Sequence, residues 1–551
     1  MKKCPKKMGI NNMKLTIINT LVFLLAAASA FAVPERPNIL VILTDDIGWG
    51  DYHCYNTQGK ILSPNVDKLA NEGMRFMNAH TPAALCSPTR YSMLTGNFPW
   101  RGRAPGGTWG FNTPSQIMPG QKTVANLLQA AGYRTAMFGK EGFGGQHALK
   151  PDGKPDFTKP MTEGARSWGF DYSFIIPRGH QSMPALFLEN EIPSCGADKL
   201  VQGEAAMVKA PPARHVKEMA RKKKLRDEKA GRDTSEVAAE KDMGVAFADP
   251  DWDTTKIGEQ LLVHAEKFLD DVLAKNKSAA VVAPFFMHFC TDGAHVPYTP
   301  AAEIRGTALK GQTKMTDHTD MVMETDILLE KLTAALAQRG LLDNTLIVLT
   351  SDNGGLPFEK EFGHDAVGGL KGMKSMIAEG GHRVPFIVRW PGKIPAACVR
   401  LQPVCIFDIV PTALELAGVK IPDDQCLDAV SLVPVLLGQR DDTQPVRRSM
   451  LVQSSPGKDV FGGDKGVQNG ARKNGNKASD GMAHAIYEGD WKLLIDMADQ
   501  PAALYDLKTD IAETNNFIAD SAQSERVKRM EQTYRDIRTS KRSTSISSNN
   551  P

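Results

Sequence analysis

Two stretches of this chain share one unusual pattern, an apolar run that ends abruptly in acids and amides. The first is Asn38-Ile39-Leu40-Val41-Ile42-Leu43, followed by Thr44-Asp45-Asp46. The second is Asn344-Thr345-Leu346-Ile347-Val348-Leu349, followed by Thr350-Ser351-Asp352-Asn353-Gly354-Gly355. An apolar run of strand length without polar alternation reads as a parallel strand covered on both faces. Covering both faces takes helices, so the chain is restricted to an α/β fold. Ligands of open α/β sheets sit beyond the carboxyl ends of the strands. Adjacent carboxylates are costly there unless they hold something. One Asp-Asp pair is equally well a solvated turn; two strand ends with the same chemistry make Asp45, Asp46, Asp352 and Asn353 candidate metal ligands. All four offer oxygen, which suits Ca²⁺ or Mg²⁺ and disfavours zinc.

At 551 residues the chain exceeds one small core and points to two or more domains. Lys2, Lys3, Lys6, Lys7 and Lys14 precede a mostly apolar run, Leu15 to Leu25. Ala28-Ser29-Ala30 or Ala30-Phe31-Ala32 could then be cleaved, so residues 1–32 read as a secretory signal peptide. The run is short for a membrane span, and no stable membrane anchor is expected. Cleavage after Ala32 would remove five lysines and no acid, taking the net charge from +3 to −2. Long-range steering of anions by net charge is then excluded. Eight cysteines are too few for a disulfide framework in so long a chain, and no pairing follows from the sequence.

Periodicity predicts helices over 123–131, 257–274, 316–336 and 408–418, with strands over 73–79, 133–138, 280–289 and 385–390. Residues 485–496 read as a hairpin, and 504–507 as a further short strand. Between them, 453–481 read as a long loop. Residues 195–250 read as an insert whose stretch from Lys209 to Lys229 carries nine basic and three acidic residues. Such a run is a solvated or disordered face, or a patch for an anionic polymer. It lacks interleaved aromatics, so nucleic acid is not the expected partner.

A third stretch, Cys86-Ser87-Pro88-Thr89-Arg90, suggests a helix start capped by Ser87 with Pro88 at the first helical position. Cys86 would then lie at the positive end of a helix near Arg90, with a lowered pKa. The full stretch from Cys86 to Gly96 resembles the signature of the type I sulfatases, in the alkaline phosphatase superfamily. The likeness runs from about Arg36 to about Asn516.

That resemblance implies that Cys86 is oxidised to formylglycine by a formylglycine-generating enzyme. It implies a Ca²⁺, with Mg²⁺ the second choice, held by Asp45, Asp46, modified Cys86, Asp352 and Asn353. One hydroxyl of the hydrated aldehyde attacks sulfur, the alcohol leaves, and the second hydroxyl expels sulfate. Arg90 steadies the diol. Lys140, closing Gly132-Tyr133-Arg134-Thr135-Ala136-Met137-Phe138-Gly139-Lys140, binds sulfate. Lys374, counted back from Glu379-Gly380-Gly381-His382-Arg383-Val384-Pro385, is the second sulfate-binding lysine. His295, in Ala294-His295-Val296-Pro297, is the proton donor to the leaving oxygen. The chain departs from the family where Lys-Trp-His is usual: Gly142 takes the histidine position, and His147 is the nearest substitute for binding substrate.

The expected fold is therefore a large, mostly parallel sheet between helices over residues 33–440. A smaller α+β domain with an antiparallel sheet follows over 441–538, then a disordered tail over 539–551. The expected activity is hydrolysis of a sulfate ester, on a sulfated carbohydrate or an aryl sulfate, by an exported protein in the periplasm or outside the cell. The alternatives are a phosphatase or phosphonate monoester hydrolase on the same scaffold, and a non-catalytic binder of sulfated glycan. Intact Cys86 weighs against the binder. The particular sugar and the oligomeric state do not follow from the sequence.

Overall fold

The structure is a computed structural model that describes residues 36–108, 110–203, 205–206, 247–456 and 482–547. The proposed signal segment, most of the charged insert, most of the long loop and the last four residues lie outside them. Fourteen strands are used below: β1 (Asn38–Thr44), β2 (Met74–Phe76), β3 (Arg134–Lys140), β4 (Tyr172–Ile176), β5 (Leu188–Glu189), β6 (Ile192–Pro193), β7 (Phe285–Cys290), β8 (Thr345–Ser351), β9 (Phe386–Arg389), β10 (Cys398–Arg400), β11 (Ser449–Gln453), β12 (His484–Glu488), β13 (Trp491–Ile495) and β14 (Pro501–Asp506). The helices are α1 (Pro64–Glu72), α2 (Cys86–Thr95), α3 (Val124–Ala130), α4 (Ile257–Lys277), α5 (Asp317–Gln338), α6 (Ile409–Leu416), α7 (Ser524–Thr539) and α8 (Thr544–Ser547).

The large sheet has the order β10-β2-β9-β8-β1-β7-β3-β4-β5-β6, and its middle five strands, β8 to β4, are parallel. The unbroken apolar runs are explained by burial on both faces. In β1, Ile39 and Val41 point into one core while Leu40 and Ile42 point into the other. In β8, Leu346 and Val348 join the first core, Ile347 and Leu349 the second. The second core is closed by α1, α4 and α5 through Leu69, Leu261, Phe268 and Leu328. The first is closed by α2, α3 and α6 through Tyr91, Leu128 and Val410.

Several expected elements shift at their ends. Thr123 and Thr316 prove to be caps, each accepting a hydrogen bond from the backbone three residues on, so α3 and α5 begin one residue later. The stretch 280–283 is exposed and stays outside β7, because Pro284 cannot donate to the ladder. β9 runs antiparallel to both neighbours. Cys54, Cys86, Cys195, Cys290, Cys405 and Cys426 carry free thiols. Among the described residues, no helix is long and apolar enough to cross a membrane.

The smaller sheet is antiparallel, β11-β12-β13-β14, and α7 packs on it through Met530, Tyr534 and Ile537. Its inner residues Met450, Leu451 and Ile486 belong to the same buried cluster as Ile39 and Val41, so the first core runs on unbroken into this sheet. The expected disordered tail is corrected for residues 539–547. The Ser543 hydroxyl donates to Asp428 Oδ1 at 2.6 Å, and the Arg448 N–H donates to the Ser547 carbonyl at 2.6 Å. A polar composition suggested disorder, but the buried Asp428 carboxylate gives Ser543 a charge-assisted partner.

One polar network ties the two sheets together. Glu379 Oε1 accepts from Tyr487 Oη at 2.6 Å and Lys492 Nζ at 2.9 Å, while Oε2 accepts from Arg383 Nε at 2.8 Å. Lys492 also pairs with Glu513 at 2.8 Å, and both lysine and acids are fully buried. Replacing Lys492 with Met should leave two buried carboxylates without their shared cation and cost about 3–5 kcal/mol of stability. A thermal unfolding midpoint equal to that of the unaltered protein would sink this account.

Candidate functional site

β1 and β8 are neighbours in parallel register, with Thr44 opposite Ser351. Asp45-Asp46 and Asp352-Asn353 therefore emerge side by side at the carboxyl edge of the sheet. The Asp46 backbone takes a left-handed turn (φ 60°), a conformation that Asp tolerates better than most residues. Its N–H donates to Asp352 Oδ1 at 3.3 Å, and the Asn353 amide donates to Asp46 Oδ1 at 2.8 Å. All four side chains are buried. Asp45 Oδ1 and Asn353 Oδ1 have no hydrogen-bond partner among the described residues. Two orphaned oxygens and three crowded carboxylates are a donor set that fits a hard divalent cation.

Three cationic side chains face this set. Arg90, from the second turn of α2, places Nε and Nη2 on Asp352 Oδ2 at 2.9 and 2.6 Å, and Nη1 on the Lys140 carbonyl at 3.0 Å. Lys140, the last residue of β3, places Nζ on Asp45 Oδ2 at 2.5 Å. Lys374 pairs with Asp46 Oδ1. Burial opposes ionisation of Asp45, yet Lys140, His295 and Arg90 hold its carboxyl below the usual range. Asp352 goes the other way: burial and the Asp45 charge push it up to about 7, even with Arg90 beside it.

Cys86 is the first residue of α2, and Leu85 takes the cap position. Ser87 is not the cap. Its hydroxyl instead accepts from the Thr108 N–H at 3.1 Å, and Pro88 is the third helical residue. The expected acidic thiol is also corrected. Burial pushes the Cys86 thiol up, outweighing the nearby Lys140 and Lys374.

His295 follows β7 and brings Nε2 to 4.0 Å from Asp46 Oδ2. Its Nδ1 lies 2.6 Å from the Val296 carbonyl, which fixes Nδ1 as the protonated nitrogen and turns Nε2 to the carboxylates. Burial, with Lys140 and Lys374 nearby, lowers it to about 4.

The structure thus brings Asp45, Asp46, Cys86, Arg90, Lys140, His295, Asp352, Asn353 and Lys374 together from six separate stretches. His147 sits elsewhere. Its ring lies against Phe111 and Phe157, at centroid distances of 5.5 and 4.9 Å, and burial alone lowers it to about 4. Gly142, at the position of the departure, lies directly on the cluster: a Cβ there would stand 3.2 Å from Arg90 Cδ and 3.4 Å from Lys140 Cε. Sequence reasoning passed over His180 and Asp292, which form a buried pair beside His295. Neither belongs to a motif by spacing; only their positions just past the ends of β4 and β7 would have pointed to them.

Comparison with known proteins follows the same lines. The Sulfatase family profile matches residues 37–419. The chain is 30% identical over 519 residues to an N-acetylgalactosamine-6-O-sulfatase of Bacteroides thetaiotaomicron, covering 88% of this chain and 89% of that protein. It is 28% identical to human arylsulfatase A over 90% of this chain and 86% of that one. A solved structure from work on glycosaminoglycan metabolism by Bacteroides thetaiotaomicron superposes with a TM-score of 0.68 at 24% identity, covering 92% of this chain and all of the other.

A divalent cation bound by this set should stabilise the folded protein. After EDTA treatment, adding Ca²⁺ or Mg²⁺ at a hundred times its Kd should add about 2.7 kcal/mol. The thermal midpoint should rise accordingly, and Asp45→Asn should abolish the rise. A midpoint indifferent to both ions would refute the metal reading of the four oxygen ligands.

Proposed function

The chain belongs to the sulfatase family and hydrolyses sulfate esters, and we propose that it does so with a formylglycine made from Cys86 and a Ca²⁺ held by Asp45, Asp46, Asp352 and Asn353. One observation carries this reading. The Cys86 thiol is buried within electrostatic reach of Lys140, Lys374, Asp352 and Asp45, so an oxidisable side chain, oxygen ligands and fixed cations share one pocket.

A hydrated formylglycine supplies two hydroxyls on one carbon, one to attack sulfur and one to expel sulfate. Ca²⁺ supplies Lewis-acid charge to the reacting oxygens. The protein's own groups do the rest. Three carboxylates face three fixed cations, so a divalent ion makes the site net positive and fit for an anionic ester. Arg90 holds Asp352 with two nitrogens and is itself held by the Lys140 carbonyl, which keeps both cations in place beside position 86. Lys140 and Lys374 have flexible ammonium groups able to turn from Asp45 and Asp46 to sulfate oxygens. His295 presents Nε2 to the pocket as the proton donor. Its basicity is held down by burial and by Lys140 and Lys374, and an arriving sulfate ester offsets that repulsion.

A sulfated carbohydrate is the proposed substrate class. The N-acetylgalactosamine-6-O-sulfatase relative, matched over most of both chains, supports it. Export through residues 1–32 would bring the enzyme to such glycans. The Cys86 peptide, from protein made with an active formylglycine-generating enzyme, should lose about 18 Da on conversion, and the protein should then cleave 4-nitrophenyl sulfate. Cys86→Ala should abolish turnover, and His295→Ala should lower kcat by about 10²–10⁴-fold. Full activity with unconverted Cys86 would overturn the formylglycine reading.

A further inference from the structure

His180 and Asp292 have no part in the chemistry described so far, yet they enclose the residue proposed as proton donor. His180 lies just beyond β4, whose Ile176 is in register with Lys140. The chain passes so close to Lys140 at Gly179 (φ 91°) that a Cβ there would stand 3.0 Å from Lys140 Cδ. The His180 ring is buried. Its Nε2 lies 3.0 Å from the Pro297 carbonyl, and its Nδ1 lies 3.5 Å from Asp292 Oδ2. His295 sits between those two contacts in sequence. The two imidazoles meet edge to face, with centroids 6.2 Å apart and planes at 89°.

Nε2 can meet a carbonyl only by donating, so a neutral His180 would turn a lone pair towards the Asp292 carboxylate. The imidazolium form donates from Nε2 to Pro297 and sets a positive charge 3.5 Å from Asp292, an ion pair without a hydrogen bond. Burial opposes that charge, but Asp292 outweighs it and raises the His180 pKa. Asp292 and Glu324 both line a cavity behind the ring, with room for about one water molecule. The Asp292 charge favours a cation there, while burial pushes the Glu324 carboxyl up to about 7.

We propose that His180, paired with Asp292, is a positioning residue for His295, clamping residues 292 and 297 on either side of it so that the His295 ring is held towards the leaving oxygen. The segment is tied to the metal-binding edge as well: the Ala294 N–H donates to the Asp45 carbonyl at 2.5 Å, and the Asp45 N–H donates to the Gly293 carbonyl at 3.1 Å. Those backbone ties fix residues 293 and 294. The clamp fixes the far side, where the ring's orientation is set. This inference rests on the reading of His295 as proton donor.

Proton donation matters most when the leaving alcohol is weakly acidic. A series of aryl sulfates, from 4-nitrophenyl to 4-methylphenyl sulfate, therefore separates positioning from bulk structure. In converted protein, His180→Gln should lower kcat for 4-methylphenyl sulfate at least about tenfold more than for 4-nitrophenyl sulfate, with KM little changed. His295→Ala should show the same steepening, more strongly. Should His180→Gln fail to fold, Asp292→Asn carries the test from the other partner. An equal loss for both esters, or no loss, would overturn the clamp. A flat response in His295→Ala would overturn the proton-donor reading first and the clamp with it, whereas a steep response there beside a flat one in His180→Gln would overturn the clamp alone.

Discussion

Asp45, Asp46 and Asp352 crowd the ends of two adjacent strands, where each destabilises the charge of the others. Left to themselves, three buried carboxylates would protonate or pull the strand ends apart. Lys140 and Lys374 counter this on Asp45 and Asp46, and Arg90 pairs with Asp352, whose carboxyl burial and the Asp45 charge still push up. The elements around the site are placed where these cations need them. α2 runs from the cluster so that Arg90, one turn from Cys86, reaches back to Asp352. β3 stops at Lys140. The loop before β9 carries Lys374 across to Asp46. Any anion that enters meets positive charge whose backbone supports are already fixed, so little reorganisation is left for the reaction itself.

The smaller sheet joins the same design through Glu379. This acid lies five residues past Lys374 and is held by Tyr487 of β12 and Lys492 of β13. The backbone from 375 to 383 is thus anchored to a different sheet from the one that carries Asp45, Asp46, Asp352 and Asn353. Lys374 spans the two. A smaller sheet packed on a shared core, as here through Met450 and Ile486, can therefore influence the site without contributing a side chain to the carboxylate cluster.

The parallel sheet and its acidic edge were legible because burial on both faces leaves a mark that no other strand environment leaves. β1 and β8 announced themselves, and their register brought Asp45-Asp46 to Asp352-Asn353. The environment of Cys86 was not legible. A helix start implies a lowered thiol pKa, but the cost of burial exceeds the help from the lysines, and burial depth cannot be read from five residues. The ordered tail failed for a related reason: Ser543 is held by Asp428, a partner 115 positions away that composition cannot reveal. Local spacing points to His147, but its aromatic surroundings come from Phe111 and Phe157, residues with no sequence link to the motif.

The glycine at position 142 shows how a departure of this kind can be absorbed. A side chain there would press on Arg90 and Lys140, two of the three cations that face the carboxylates. Its absence leaves room beside both, and the nearby buried imidazole comes from another strand end. His180 approaches behind Lys140 and reaches the segment of His295 rather than position 86. The chain thus has Gly142 at the position where the family resemblance implies a histidine, and has a second histidine beside the proposed proton donor. Orientation on the nucleophile side is then left to Arg90 and the oxygen ligands, which the double contact with Asp352 already makes rigid. On the leaving-group side, where a single ring must be aimed, the Asp292 pairing provides the fixed support.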